Sequence, residues 1–122
     1  FERVTKYFID HLPEDYVPYW DLIFSDGSCE PRDTSAAAIA ACGILEMEKY
    51  YHNQEFLDIA KKMMSSLSEK YTTVDYLQSN GIIKDGMYSR KHGHKSECTS
   101  WGDYFYLEAL MRMKKSDWKI YW

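Results

Sequence analysis

A run near the end of the chain, Ser100 to Lys114, reads SWGDYFYLEALMRMK and is apolar on nearly every side. Ser100 and Asp103 have the spacing of a capping box, which predicts a helix starting there. Glu108 and Arg112 lie four apart with the acid first, a spacing that suits a helix-face ion pair worth roughly 0.3 kcal/mol. A helix without a wet face must be surrounded by protein. The chain therefore has to supply, or find, neighbours for an inner helix.

A second segment makes the same demand. After Asp33, a candidate N-cap, TSAAAIAACGILEMEKYY carries only small or apolar residues through its first half, which allows close approach to other helices. The two remaining helical segments each keep a polar side. FERVTKYFIDHL places Phe1, Val4, Phe8 and Leu12 on one face, and Pro13 ends it. Asn53 can cap NQEFLDIAKKMMSSLSEKY, with Phe56, Ile59, Ala60, Met63 and Leu67 on one face and Asp58, Lys61, Lys62, Ser65 and Glu69 on the other.

The expected order is outer, inner, outer, inner, in an all-α fold of about two helical hairpins. A long connection precedes each inner helix, and a short break at His52 and Asn53 follows the first. Antiparallel neighbours put alternate connections at opposite ends, so both long loops share one end of the molecule. The first runs to Asp33 and contains Tyr16, Tyr19, Trp20, Asp21, Phe24 and Arg32. The second, Thr72 to Thr99, has turn signals at Asn80-Gly81 and Asp85-Gly86 and is expected to be irregular with one small hairpin. The same end carries the inner-helix N-termini, Arg32 and the cluster Arg90-Lys91-His92-Gly93-His94-Lys95, an arrangement suited to an acidic sugar or similar small anion. Two inner and two outer helices do not close a toroid. The expectation is the C-terminal part of a larger α/α barrel, or a chain that completes itself by association.

Composition narrows the partners. A net charge of -4 over 122 residues, with no basic stripe outside Arg90 to Lys95, argues against nucleic acid held through its phosphates. Aromatic residues are 16% of the chain, and several of its eleven Tyr and four Trp fall in loops, where they serve as ligand-stacking platforms or as loop anchors. Cys29, Cys42 and Cys98 have no CxxC spacing, which suggests neither a disulfide framework nor a zinc site and points to a reducing, cytoplasmic setting. No apolar run approaches the ~18 residues of a membrane span, and no membrane partner is expected. No signal peptide is visible, although the chain opens on Phe1 rather than Met.

Three stretches, PYWD at Pro18 to Asp21, RDTSAAAIAACGILEME at Arg32 to Glu48 and WGDYFYLEALMRM at Trp101 to Met113, closely resemble the C-terminal third of unsaturated glucuronyl hydrolases. These are glycoside hydrolases of glycosaminoglycan degradation. The resemblance covers most of the chain and implies part of an (α/α)6 barrel, residues 1–122 forming the C-terminal fragment of one catalytic domain. It implies a chemistry in which an Asp protonates the C4=C5 double bond of the unsaturated uronate and water adds at C5. The hemiketal then rearranges to release the partner sugar, and no metal or cofactor takes part. The family's catalytic aspartates lie upstream of the matched region. None of Asp10, Asp15, Asp21 or Asp26 takes that role, no catalytic residue is assigned, and the chain is expected to be inactive alone.

The resemblance places substrate contacts in the loop before the last inner helix. Members that accept sulfated disaccharides show a pattern Ser-x-x-Ser-Gly-Lys there. Ser89-Arg90-Lys91-His92-Gly93-His94 keeps its first Ser and its Gly, with His92 and His94 in place of the second Ser and the Lys, so no sulfate preference carries over. The candidate substrate-binding residues are thus Tyr88, Ser89, His92, His94, Trp20 and Arg32, for an unsaturated uronic-acid disaccharide. Each has an alternative reading. Trp20 and Tyr19 serve equally as loop anchors, and Arg32 either clamps a carboxylate or pairs with Asp33 or another acid, the pairing being preferred. Asp33 and Asp103 read as caps before ligand contacts, and Trp101 as core before platform. The competing functional readings are a non-catalytic carbohydrate-binding or helical interaction module and, last, an ordinary glycosidase using Asp21 and Glu30.

Overall fold

A computed structural model of the chain describes residues 1–90, 96–115 and 117–120. Four helices follow one another: α1 (Glu2–Asp10), α2 (Thr34–Tyr51), α3 (Gln54–Lys70) and α4 (Ser100–Lys114). Among the described residues there is no regular strand, only isolated antiparallel bridges that pair Tyr19 with Arg32, Thr72 with Ile83 and Gly86 with Glu97. The described part of the second long loop is therefore irregular, as its turn signals suggest, with isolated pairings and no regular strand.

Local chemistry sets the helix limits. Asp33 caps α2, accepting N–H bonds from Ser35 and Ala36, and Asn53 caps α3 through Phe56 N–H. Between them His52, in the left-handed region at φ 44°, ends α2 and turns the chain directly into α3. For α4 the cap is Thr99, whose hydroxyl accepts the Gly102 N–H, and not Ser100. Gly102 is suited to this first turn, because a Cβ there would meet the capping hydroxyl at 2.7 Å. Asp103 does not close a capping box. Its Oδ1 accepts the N–H groups of Ile82 and Ile83 at 3.0 Å each.

Helices α2 and α4 pack side by side and parallel. Matching points along them advance together: Ser35 against Gly102, the Cys42 thiol donating to the Phe105 carbonyl at 3.1 Å, and Glu46 bound to Arg112. Small residues make the approach possible, and Ala37, Ala38, Ala41 and Ala109 are fully buried. On the outer side α3 buries Phe56, Ile59, Ala60, Met63, Met64 and Leu67, the face expected from its spacing together with Met64. Met63 and Leu67 have no exposed surface, and each contributes about 2 kcal/mol by burial.

The expected pair of Glu108 and Arg112 forms, and it is not exposed. Their side chains are each 4% exposed, and Arg112 also binds Glu46 of α2, so the ion cluster lies between the inner helices. Nor is α4 enclosed on all sides, since Trp101, Tyr104, Leu107, Leu110 and Met113 form an exposed apolar stripe. Of the other helices, α4 packs against α2 and, more lightly, α3. Among the described residues no helix is long and apolar enough to cross a membrane.

Candidate substrate-binding face

The end of the molecule bearing the N-termini of α2 and α4 is roofed by one strap of chain, residues 81–87. Thr34 donates its N–H to the Asp85 carbonyl at 3.1 Å and its hydroxyl to the Lys84 carbonyl at 2.8 Å. Asp33 Oδ1 reaches out of its own helix cap to accept the Met87 N–H at 3.2 Å. Asp103 holds the other end of the strap through Ile82 and Ile83. Gly86 lets the strap lie close, since a Cβ there would approach the Thr99 side chain to 3.0 Å and the Glu97 carbonyl to 3.1 Å. Asp33 and Asp103 thus anchor the second long loop across both helices.

The first long loop is fixed by Arg32. Its Nη1 donates to the Val17 carbonyl at 2.8 Å, and its guanidinium pairs with Asp15 at 3.3 Å and Asp26 at 3.5 Å and lies over the Tyr19 ring, 4.0 Å from the centroid. Asp15 also accepts the Tyr71 hydroxyl at 2.8 Å; burial first, then this carboxylate, pushes the Tyr71 phenol above its usual range. Arg32 is therefore the knot of its own loop. The preferred pairing reading describes it, with Asp15 and Asp26 as the acids.

Trp20 and Tyr88 stand differently. The Trp20 indole N–H donates to Glu30 Oε2 at 2.9 Å, and its ring lies 5.7 Å from that of Phe24. Tyr88, 66% exposed, lies 5.9 Å from the ring of Trp101 on the first turn of α4. Trp101 itself is 38% exposed, so it is a platform beneath Tyr88 and not core. Ser89 is half-buried beside Tyr88, and Arg90 pairs with Glu30 at 3.5 Å. The structure thus brings the Trp20 loop and the Tyr88–Arg90 segment together through Glu30. His92 and His94 lie outside the described residues.

In the sequence Glu30 stands out only as a catalytic carboxylate of the least favoured alternative. Glu30 is occupied by Trp20 and Arg90, and Asp21 accepts the Ile23 N–H at 3.1 Å, so both have structural work. The helix N-termini are less open to an anion than expected as well, because Asp33 and Thr99 already accept the N–H groups of Ser35, Ala36 and Gly102. A separate cavity of about 400 Å³ lies between residues 73–85 and 96–98, lined by Tyr76, Lys84 and Cys98 among others; none of Trp20, Arg32, Tyr88 and Ser89 borders it. Among the described residues no group of His, Cys, Asp and Glu could hold a metal ion.

Comparison with known proteins shows what the chain is similar to. No family model matches the chain. Across its whole length it is 45% identical to an unsaturated chondroitin disaccharide hydrolase of Streptococcus agalactiae and 46% identical to one of Streptococcus pneumoniae, covering 32% of each. The crystal structure of an unsaturated glucuronyl hydrolase from Streptococcus agalactiae superposes with a TM-score of 0.89 at 46% identity, over 97% of this chain and 33% of that one. The chain is similar over its whole length to unsaturated glucuronyl hydrolases. A third match, the unsaturated glucuronyl hydrolase of Bacillus sp. strain GL1, gives a TM-score of 0.86 at 36% identity. The chain spans about a third of the length of the curated relatives it matches.

This likeness places the four helices. They match part of the (α/α)6 barrel that unsaturated glucuronyl hydrolases have.

Proposed function

We propose that the chain is the C-terminal, substrate-binding part of a glycoside hydrolase that removes unsaturated glucuronic acid from oligosaccharides by hydrating the C4=C5 double bond. Residues 1–122 make up the last part of that enzyme's single barrel domain. They supply a wall of the sugar site and not its proton donor. The observation that carries this reading is the joining of two long loops over parallel inner helices, in a chain alike throughout to such enzymes.

In this reading Trp20 and Tyr88 present ring faces to the sugar, and Ser89, His92 and His94 complete the wall. A flat sugar face against an aromatic ring is favourable burial, and polar neighbours fix its orientation. A variant of the Streptococcus agalactiae enzyme has been solved in complex with dGlcA-GalNAc6S, which supports an unsaturated uronic-acid disaccharide as the ligand class. Arg32 leaves this list, because its guanidinium is committed to the first loop.

No carboxylic acid is assigned the protonation of the double bond, so the chain alone is expected to turn over no substrate. Incubation with an unsaturated chondroitin disaccharide, followed by the absorbance of the unsaturated uronate, tests this. Unchanged absorbance supports the reading, and consumption at a whole enzyme's rate contradicts it.

The second reading, a non-catalytic carbohydrate-binding or helical interaction module, is favoured by one observation: the apolar stripe of Trp101, Tyr104, Leu107, Leu110 and Met113. A stripe of this kind asks for cover, from the remainder of a barrel or from a second copy. Light scattering separates a self-associating chain from a monomer.

A further inference from the structure

One carboxylate oxygen joins the two long loops. Glu30 Oε2 accepts the Trp20 indole N–H at 2.9 Å and pairs with Arg90 Nε at 3.5 Å. The Arg90 side chain is 46% exposed, and among the described residues this is its one ion pair. A guanidinium held by its Nε keeps two terminal nitrogens, a donor fork matched to the two oxygens of a carboxylate or sulfate. The same acid tethers the edge of the indole. A flat apolar face and an anion fork are therefore held together by a single group. Both favour a sugar acid, ring contact for the pyranose and paired donors for the charge.

We propose that Arg90 reads an anionic oxygen group of the bound sugar, carboxylate or sulfate, and that Glu30 is a positioning residue that holds Arg90 and the Trp20 ring together. This rests on reading the chain as part of an unsaturated glucuronyl hydrolase. Ser89 immediately precedes Arg90, so the fork enters the site on the same segment as Tyr88 and Ser89.

Calorimetric titration of the 122-residue chain tests it with three probes: unsaturated chondroitin disaccharide, its uronate methyl ester and its 6-sulfated form. If Arg90 reads the carboxylate, Arg90→Ala weakens the two free acids about tenfold and leaves the ester unchanged. If it reads the sulfate, only the 6-sulfated form weakens. Arg90→Lys recovers part of either loss. Glu30→Ala weakens all three, because the indole loses its tether as well. Should Arg90→Ala bind every probe as the unaltered chain does, the inference falls while the parent reading stands. Should the unaltered chain bind none of them, the parent reading falls and the inference with it.

Discussion

Asp33 and Met87 are joined by a hydrogen bond from the Met87 N–H to the carboxylate that caps α2, 3.2 Å long and spanning 54 positions of sequence. The same Oδ1 accepts from Ser35 N–H, the Ser35 hydroxyl and Ala36 N–H. Replacing Asp33 with Ala removes the cap and leaves the partly buried Met87 N–H unpaired. The expected loss is about 2 kcal/mol, measured by urea denaturation. A loss under about 0.5 kcal/mol would show that the strap is held without it.

The buried cluster of Glu46, Glu108 and Arg112 ties α2 to α4. Arg112→Ala leaves Glu108 almost fully enclosed without its cation, and the expected cost is about 3 kcal/mol. Acid titration probes the same place. The Glu46 carboxyl is held below its ordinary range, first by the hydrogen bond from Lys49 and further by Arg112. A depressed folded value means that its contribution is complete above the ordinary glutamate range and is lost as pH falls through the lower folded value. Glu46→Gln should flatten that acid limb in melting temperatures recorded from neutral to acid pH.

Cys42 is a buried thiol whose Sγ donates to the Phe105 carbonyl, and burial first of all pushes its pKa up to about 12. Cys29 is exposed and Cys98 partly so. Reaction with a thiol-specific reagent at mildly alkaline pH should modify Cys29 and Cys98 in the folded chain and reach Cys42 only on unfolding. Equal rates at all three would contradict the packing of α2 on α4.

Arg32 and Trp20 sit in the same loop with different duties, and substitution separates them. Arg32→Ala removes bonds to Val17, Asp15 and Asp26 and should cost about 2 kcal/mol of stability while sparing affinity at low temperature. Trp20→Ala should do the reverse, weakening disaccharide binding about tenfold with little change in melting temperature. Calorimetry beside thermal denaturation distinguishes the two.

Features set by near neighbours were legible in the sequence. Asp33 and Asn53 cap as their positions suggest, and the buried face of α3 follows its spacing. The shared end of the two loops followed from helix order. What was misread depends on distant partners. Asp103 looks like a capping-box acid, but its N–H donors are Ile82 and Ile83. Glu108 and Arg112 pair as their spacing suggests, but that Glu46, 66 positions from Arg112, joins them from α2 has no local sign. Glu30 carries no local mark at all, since its role exists only when Trp20 and Arg90 meet. Thr99 and Ser100 are adjacent hydroxyl residues, and the backbone chooses between them: Thr99 is extended, as a cap requires, while Ser100 is already helical.

The central claim is that this chain forms a wall of a site for unsaturated uronic-acid sugars without the group that protonates them. Proton NMR of an unsaturated chondroitin disaccharide mixed with the chain tests it through the vinyl proton at C4. The account predicts saturation transfer from protein to this resonance, with its intensity constant over hours. A resonance that receives no saturation, or one that disappears at the rate of a whole enzyme, would contradict it.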